Sequence, residues 1–342
     1  MAIIKSGIVS SNLNIDSPFL VCILGPTAVG KTSVAIKLAQ VLNAEVVSVD
    51  SRQVYQQISI GTAKPSQEEK DTVRHHLIDC VSIDQTFSVA DYQLLADQAI
   101  HNIHNSNKRV LLVGGAGLYF RAIIDGLFDG PGADWQIRAD LSQEAEKYGK
   151  DYLYEKLRCI DPISAGRIHP NNIPRIIRAL EVYKLTGRPI SGFQRNWDQN
   201  CPRYNFSAFG LTMPRKQLYH RIEMRIDYML EIGWVDEVKG LLEGYNSDTK
   251  KNLRAYPAMQ SYGYKEIIDY LDQRLDFVQA ISQIKQRTRN YAKRQLTWFR
   301  KDSRINWLDV SEFDSVDQII EKILTSGYEK NCDLTVVGDR LS

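Results

Sequence analysis

A glycine-rich segment near the N-terminus carries the residue types that bind phosphate. It follows the apolar run 19–24 and has the spacing G-x-x-x-x-G-K-T of a P-loop, and the next residues, 33–41, have the composition of a helix. The N–H groups of the loop and the helix dipole then face one anion. Lys31 adds a positive charge, and the hydroxyl of Thr32 can hold Mg²⁺ or a phosphate oxygen. The predicted binding residues for a diphosphate or triphosphate are Gly25, Pro26, Thr27, Ala28, Val29, Gly30, Lys31 and Thr32.

An aspartate ends the next apolar run, 45–50, and is a candidate for chemistry on the bound ligand. In a parallel sheet the carboxyl ends of the strands share one edge, so Asp50 is expected near the phosphate site. Its position fits equally well an aspartate that caps the following turn. The later run 109–115 ends in two glycines without the acidic residue that holds Mg²⁺ in hydrolysing NTPases. This pattern disfavours a motor or switch ATPase.

The elements that must position these residues alternate between strand and helix patterns. Beyond the runs already named, Ser88 has capping-box spacing for a helix to about Asn105, and 117–124 reads as a helix. The alternation predicts an α/β fold with a P-loop NTPase-like parallel sheet core.

Helical patterns dominate the rest of the chain, apart from a return strand predicted at 204–211. Turn residues at 129–133 mark a boundary, and the pattern 173–180 stops at Gly187 and Pro189. The chain therefore predicts a helical insertion domain and a helical C-terminal part. The predicted domains are a catalytic core of 18–130 and 200–310, an insertion of 131–199 and loosely ordered termini of 1–17 and 327–342; further helices are predicted at 215–231, 234–243, 264–272, 277–300 and 315–326.

The composition of the 342 residues is that of an ordinary globular protein, with 43% hydrophobic and 25% charged residues. The net charge of +2 is too small to indicate by itself a protein that binds nucleic acid, so any basic surface must be local. Five scattered cysteines without C-x-x-C spacing predict neither a zinc site nor a disulfide framework. No run approaches a membrane span, and no secretory signal is recognisable. We expect a reduced, cytoplasmic setting.

Several sequence blocks then occur in an order that resembles the tRNA dimethylallyltransferase family, from about Phe19 to Leu308. The block VDSRQVY at 49–55 and the block IGTAKP at 60–65 are far more specific than the P-loop. The other blocks are HHLID at 75–79, GGAGLY at 114–119, RIHPNN at 167–172 followed by 175–181, and YAKRQLTWFR at 291–300. One position departs from the family pattern, because Ala116 stands where the family usually has Thr.

The resemblance implies that a dimethylallyl group is transferred from dimethylallyl diphosphate to N6 of adenosine 37, in tRNAs that read codons beginning with U. It implies Asp50 as the general base on the adenine amino group, Arg225 and Thr32 as catalytic groups on the diphosphate, and Mg²⁺ as cofactor, held indirectly through Thr32. Arg221 lies one turn before Arg225 on the same helix face. A monomer is expected, without a membrane or an obligate protein partner.

The same resemblance and the local basic patches predict contacts with the tRNA anticodon stem-loop. Gln53 is expected to read a base edge, the face of Arg175 and Arg178 to contact phosphates, and the helix at 277–300 to present arginines. The predicted tRNA-binding residues are Ser51, Arg52, Gln53, Ala116, Arg175, Arg178, Lys265, Arg287 and Arg294.

Purely structural roles for some of these residues, and other functions for the chain, stay open at this point. Arg221 and Arg225 also fit solvated surface charges or a local salt bridge with Glu223 or Asp227. The adjacent His75 and His76 fit a structural role, or loop contacts near the site, better than a metal site. The rival functions are transfer of the prenyl group to free AMP, ADP or ATP, a P-loop nucleotide kinase, and a non-enzymatic RNA-binding protein. The helical insertion and the basic C-terminal helix favour tRNA, because a mononucleotide needs neither.

Overall fold

Six strands form one fully parallel sheet in the order β3-β2-β4-β1-β5-β6. The structure is a computed structural model, and it describes residues 17–127, 130–194, 201–244, 253–254 and 256–327. The strands are β1 Phe19–Leu24, β2 Ala44–Val49, β3 His75–His76, β4 Arg109–Gly114, β5 Asn205–Thr212 and β6 Ile305–Asp309. β1 and β2 are buried along almost their whole length, as expected for a parallel sheet covered by helices on both faces.

The helices of the first part connect the strands and agree with the predicted α/β pattern. They are α1 Lys31–Leu42, α2 Gln67–Thr72, α3 Val89–Asn105 and α4 Gly117–Ile124. Ser88 and Asp91 form the predicted capping box at the start of α3. Gly25 has φ +146°, and a Cβ there would lie 2.6 Å from the carbonyl oxygen of Leu211. The turn from β1 into the P-loop therefore needs glycine.

The described residues of the predicted insertion form five helices and have a hydrophobic core of their own. The helices are α5 Trp135–Tyr148, α6 Lys150–Ile160, α7 Pro162–Arg167, α8 Ile173–Thr186 and α9 Ile190–Gln194. Leu141, Leu153, Leu157 and Ile176 lie at the centre of this core, separate from the cluster around the sheet. Gly187 ends α8 in the left-handed region, as its position predicted.

The C-terminal part is less purely helical than predicted. Its helices are α10 Arg215–Glu231, α11 Trp234–Glu243, α12 Tyr264–Leu271, α13 Phe277–Phe299 and α14 Val316–Gly327. Between α13 and α14 the chain forms β6, which pairs with β5 and extends the sheet. α14 then packs on α1, where Lys37 pairs with Asp317 at 2.8 Å. The C-terminal part thus folds back on the core.

The predicted loosely ordered termini, 1–17 and 327–342, lie outside the described residues except for Ser17 and Gly327. Within the described residues, none of the helices combines the length and the apolar character that crossing a membrane requires.

Candidate active site

A cavity of about 920 Å³ lies at the carboxyl edge of the sheet, where the P-loop leaves β1 and the turn at residues 50–53 leaves β2. Segments 61–63 and 260–262 and helices α10 and α13 complete its wall. The predicted site residues that line it are Thr27, Ala28, Gly30, Lys31, Thr32, Asp50, Ser51, Arg52, Gln53 and Arg225. The structure therefore brings the predicted phosphate loop, the predicted base and the predicted arginine into one chamber.

Lys31 sits inside the P-loop and is half-buried. Its ammonium donates to the carbonyl oxygens of Gly25 at 3.1 Å and Pro26 at 2.7 Å. Burial, with a further contribution from Arg225, lowers the pKa of Lys31 to about 7, while Asp50 opposes that shift. A bound anion would supply the negative charge that stabilises the protonated form of Lys31, so the loop is suited to an anionic ligand.

Asp50 serves two purposes with its two carboxylate oxygens. Oδ1 accepts the backbone N–H of Arg52 at 2.7 Å and that of Gln53 at 3.3 Å. Oδ2 has no hydrogen-bond partner among the described residues, and the side chain lines the cavity. The carboxylate is therefore held by the turn that it caps while one oxygen stays available to a ligand.

Arg225 reaches the P-loop from helix α10, and its Nη1 lies 3.4 Å from the hydroxyl oxygen of Thr27. Burial lowers the pKa of Arg225, Arg221 adds to that effect, and Asp50 opposes it. Arg221 also lines the cavity, and its guanidinium is 3.6 Å from where a Cβ of Gly30 would stand. Two arginines of α10 thus face the phosphate loop.

The carboxylates beside these arginines are engaged elsewhere. Glu223 pairs with Arg289, and Asp227 pairs with Lys285 at 2.6 Å, both across the interface with α13. The alternative of a local salt bridge between the α10 arginines and these carboxylates is therefore wrong. Packing against α13 removes the competing negative charge from the cavity.

Gln53 does not present its amide to the cavity in the way that the sequence suggested. Its Nε2 donates to the carbonyl oxygens of Thr62 at 3.2 Å and Ala63 at 3.0 Å, and its Oε1 accepts the hydroxyl of Ser48 at 2.9 Å. Both N–H donors are used. The structure gives Gln53 the role of joining the 50–53 turn to the 60–65 block, and a base-edge contact by its donors is unsupported.

Ala116 stands outside the cavity lining. It is the N-cap of α4 without a side-chain cap, and its N–H donates to the carbonyl oxygen of Val49 at 3.1 Å. Threonine is a favourable N-cap residue, because its hydroxyl accepts an orphan N–H of the first turn. Alanine in place of threonine at this position therefore removes a side-chain cap from the start of α4. The placement of Ala116 does not support the predicted RNA contact.

The remaining predicted tRNA contacts lie away from the cavity lining and differ in how much of their charge is engaged. Arg178 pairs with the buried Glu181 at 2.8 Å and donates to the carbonyl oxygens of Pro131 and Gly132. Arg287 forms an ion pair with Glu266, and Arg294 donates to the hydroxyl of Tyr262 at 2.7 Å. Arg175 and Lys265 are exposed. The contact predictions for these residues stay predictions, and internal contacts weaken the one for Arg178.

Two groups of site residues were missed by sequence reasoning. Gln295 of α13 lines the cavity and bonds to the P-loop, although it lies inside the recognised block 291–300. Glu237 of α11 accepts the N–H groups of Ser59 and Ile60, each at 2.9 Å, and thereby holds the 60–65 block. A Cβ on Gly61 would lie 2.3 Å from the indole of Trp234, which explains the glycine in that block. No local pattern signals such contacts between distant elements.

The two adjacent histidines each have a polar partner within the protein. His76 pairs with Glu45 at 2.6 Å and His75 bonds to the carbonyl of Val73 at 2.7 Å, so the predicted structural role is confirmed.

Among the described residues no group of three His, Cys, Asp or Glu could hold a metal ion. Thr32 and Asp50 line one cavity, and Mg²⁺ commonly takes few protein ligands together with phosphate oxygens and water. These residues are therefore compatible in chemistry with a Mg²⁺ that is shared with phosphate oxygens and water.

Comparison with known proteins identifies the family of this chain. The family model described as IPP transferase matches residues 53–302. A tRNA dimethylallyltransferase of Halothermothrix orenii is 46% identical over 306 residues, covering 89% of this chain and 92% of that protein. The relative of the same name from Acetivibrio thermocellus is 46% identical over 303 residues, covering 88% and 95%. The chain belongs to the IPP transferase family.

Solved structures of IPP transferase relatives share the fold. The full-length tRNA isopentenylpyrophosphate transferase of Bacillus halodurans is 44% identical, with a TM-score of 0.65 over 90% of this chain and 94% of that chain. A eukaryotic dimethylallyltransferase acting on tRNA is 28% identical, with a TM-score of 0.74 over 94% and 82%. The resemblance inferred from the sequence blocks is thereby confirmed.

Proposed function

We propose that this chain transfers a dimethylallyl group from dimethylallyl diphosphate to N6 of adenosine 37 in tRNAs that read codons beginning with U. The observation that carries the proposal is the meeting of the P-loop, Asp50 and Arg225 in one cavity. The names of the relatives, tRNA dimethylallyltransferase, support the acceptor and the donor. A cytoplasmic monomer without an obligate protein partner belongs to the same proposal.

The leaving group is the diphosphate, and the P-loop stabilises it where its charge develops. Breaking the allylic C–O bond leaves positive charge on the prenyl carbon and negative charge on the diphosphate. Lys31, Arg225 and the N–H groups of the loop face that negative charge, and each such donor contributes about 3 kcal/mol to lowering the barrier. Thr32 would hold Mg²⁺, which when bound supplies further positive charge to the leaving oxygen.

The acceptor is an exocyclic amine, which is a weak nucleophile. Asp50 Oδ2 is available to hold the N6 amino group and to take its proton as the new N–C bond forms. The balance is complete: the C–O bond breaks, the N6–C bond forms, the proton moves to the carboxylate and diphosphate leaves. Oδ1 keeps the carboxylate oriented through the 50–53 turn.

Contacts with folded RNA distinguish this proposal from transfer to free AMP. The insertion adds, within its described residues, five helices and a second core that a mononucleotide does not need. The exposed Arg175 lies on that insertion, and Arg294 lies on α13, whose Tyr291 lines the cavity. We infer that the target base reaches the cavity from an unpaired anticodon loop, with these basic side chains on its flanks.

The decisive experiment supplies the purified chain with dimethylallyl diphosphate, Mg²⁺ and either unmodified tRNA or free AMP, and measures N6-prenyladenosine by mass spectrometry. We expect product on tRNA only. Product on AMP would move the chain to the nucleotide prenyltransferases. ATP turnover without prenyl diphosphate would indicate a kinase, and tRNA binding without any product would leave an RNA-binding protein.

A further inference from the structure

Gln295 connects helix α13 to the loops that follow two neighbouring strands. Its side chain is almost fully buried, at 6% exposure. Oε1 accepts the backbone N–H of Thr27 at 2.9 Å, and Nε2 donates to the carbonyl oxygen of Gly115 at 3.0 Å. Thr27 belongs to the P-loop after β1, and Gly115 directly follows β4, the strand paired with β1. One amide thus joins three separate elements at the carboxyl edge of the sheet.

The contact depends on the amide and on the glycine opposite it. The amide satisfies both backbone groups, because its oxygen accepts the N–H and its nitrogen donates to the carbonyl oxygen. A Cβ on residue 115 would lie 2.0 Å from Gln295 Nε2, so the absence of a side chain at Gly115 makes the approach feasible. Buried polar groups with complete partners fix one arrangement of their surroundings.

The location of this bond bears on the proposed phosphate site. Because the N–H of Thr27 is used by Gln295, it is unavailable to a diphosphate, and the ligand must rest on the N–H groups later in the loop. The hydroxyl of the same Thr27 faces Arg225 from α10 at 3.4 Å. Thr27 is therefore the point at which α10 and α13 both hold the P-loop.

We propose that Gln295 is a positioning residue, which sets the conformation of the P-loop for the diphosphate from helix α13. The proposal rests on the proposed function only for the identity of the ligand. Since α13 also carries Tyr291 in the cavity wall and the predicted RNA contact Arg294, one helix orients the donor loop and faces the acceptor.

The test compares two variants of Gln295 with a control on the same helix. Gln295→Met keeps the length and removes both bonds, and Gln295→Glu keeps an acceptor for Thr27 but turns an oxygen toward the Gly115 carbonyl. Gln286→Met is the matched control, because Gln286 is exposed and lies outside the cavity lining. The probes are inorganic diphosphate, whose Kd is measured by calorimetry, and amide hydrogen exchange at Thr27.

In Gln295→Met we expect Thr27 exchange at least about tenfold faster and a Kd for inorganic diphosphate about tenfold weaker, as for the loss of one net hydrogen bond. KM for the prenyl diphosphate rises with it while kcat changes less, and Gln295→Glu shows an intermediate effect. Affinity within twofold of the Gln286→Met control would overturn the proposal, whether or not exchange changes.

The outcomes also separate this proposal from the proposed function. If Gln295→Met fails to fold, Gln295→Glu alone decides by the same two measurements. If the unsubstituted chain prenylates neither tRNA nor AMP, yet diphosphate affinity falls in the Gln295 variants, the proposed function fails and the role of Gln295 stands.

Discussion

Asp50 and Arg52 are joined by a 2.7 Å hydrogen bond from the Arg52 backbone N–H to Asp50 Oδ1. The aspartate therefore caps its own turn with one oxygen, and its other oxygen has no partner among the described residues. Turn cap and general base, which the sequence offered as alternatives, are compatible roles of one side chain. Two substitutions can separate them.

Asp50→Asn keeps an acceptor for the Arg52 N–H but cannot take a proton, whereas Asp50→Ala loses both functions. We expect both variants to lower kcat for tRNA prenylation by about 10²–10⁴-fold. Only Asp50→Ala should also lower the free energy of unfolding, by about 1–2 kcal/mol. Single-turnover kinetics and urea unfolding measure the two effects. Asp50→Asn with more than a tenth of the original rate would exclude the base role.

Lys31 predicts a proton uptake when the diphosphate binds. Burial holds its pKa at about 7 in the folded chain, against an ordinary value of 10.5. At about pH 8 the free enzyme carries this amine partly neutral, and an anionic ligand favours the charged form. Calorimetry with inorganic diphosphate in buffers of different ionisation enthalpy should show more proton uptake than in Lys31→Arg, because arginine stays protonated. Equal uptake in both proteins would contradict the lowered pKa.

The same pKa shift predicts how stability changes with pH. Below about pH 7 Lys31 is protonated in both states, and the folded chain bears the full cost of burying the charge. Between about 7 and 10.5 the unfolded chain binds the proton and the folded chain does not, so this cost is relieved as pH rises. Relative to Lys31→Met, the free energy of unfolding should therefore rise with pH over this window, as urea titrations can show.

Arg225 is predicted to act on the developing charge of the leaving group. We expect Arg225→Ala to lower kcat by about 10²–10³-fold, the usual effect of removing one such donor. The charge-matched control is Lys37→Ala, which removes a cation of α1 that pairs at 2.8 Å with the exposed Asp317. Steady-state kinetics with saturating tRNA measure kcat and the KM for the prenyl diphosphate in both variants. A higher KM with unchanged kcat in Arg225→Ala would assign Arg225 to ground-state binding.

Arg175 and Arg178 form a matched pair for testing RNA contact on the insertion. Arg178→Ala should destabilise the chain by about 1–3 kcal/mol, because it breaks a bond to Glu181, which is fully buried. Arg175 is exposed, and its guanidinium has no partner among the described residues. Arg175→Ala should leave stability within about 0.5 kcal/mol and raise KM for tRNA several-fold. Unfolding curves and filter binding at two salt concentrations distinguish the roles, and unchanged tRNA affinity in Arg175→Ala would remove that contact.

Ala116→Thr should stabilise the chain by about 1 kcal/mol, because a hydroxyl at the N-cap of α4 can accept a first-turn N–H. Ala116→Val is the control, since it has the same branched shape without the hydroxyl. Thermal unfolding of the two variants isolates the cap. A gain in kcat for Ala116→Thr without a gain in stability would instead restore the predicted RNA contact.

The sequence by itself determined the elements whose signals are local. The P-loop, β1, β2, β4 and the Ser88 capping box follow from turn chemistry and apolar runs only a few residues long, and the structure has each of them. β3 and β6 were not predicted, because these short edge strands exist only through pairing with β2 and β5. The placement of Asp50 near the phosphate loop was predictable, since parallel strands end at one edge.

The tertiary structure alone decided which polar side chains face the cavity and which are used elsewhere. Glu223 is unavailable to Arg225 because it pairs with Arg289 of α13. The side-chain amide of Gln53 donates to carbonyl oxygens of the 60–65 block. Gln295 reaches Thr27 across 268 positions of the chain. Such contacts depend on the packing of remote elements, and local periodicity carries no information about that packing. The chemistry of the site was therefore readable from the sequence, whereas the bonds that hold it in place required the fold.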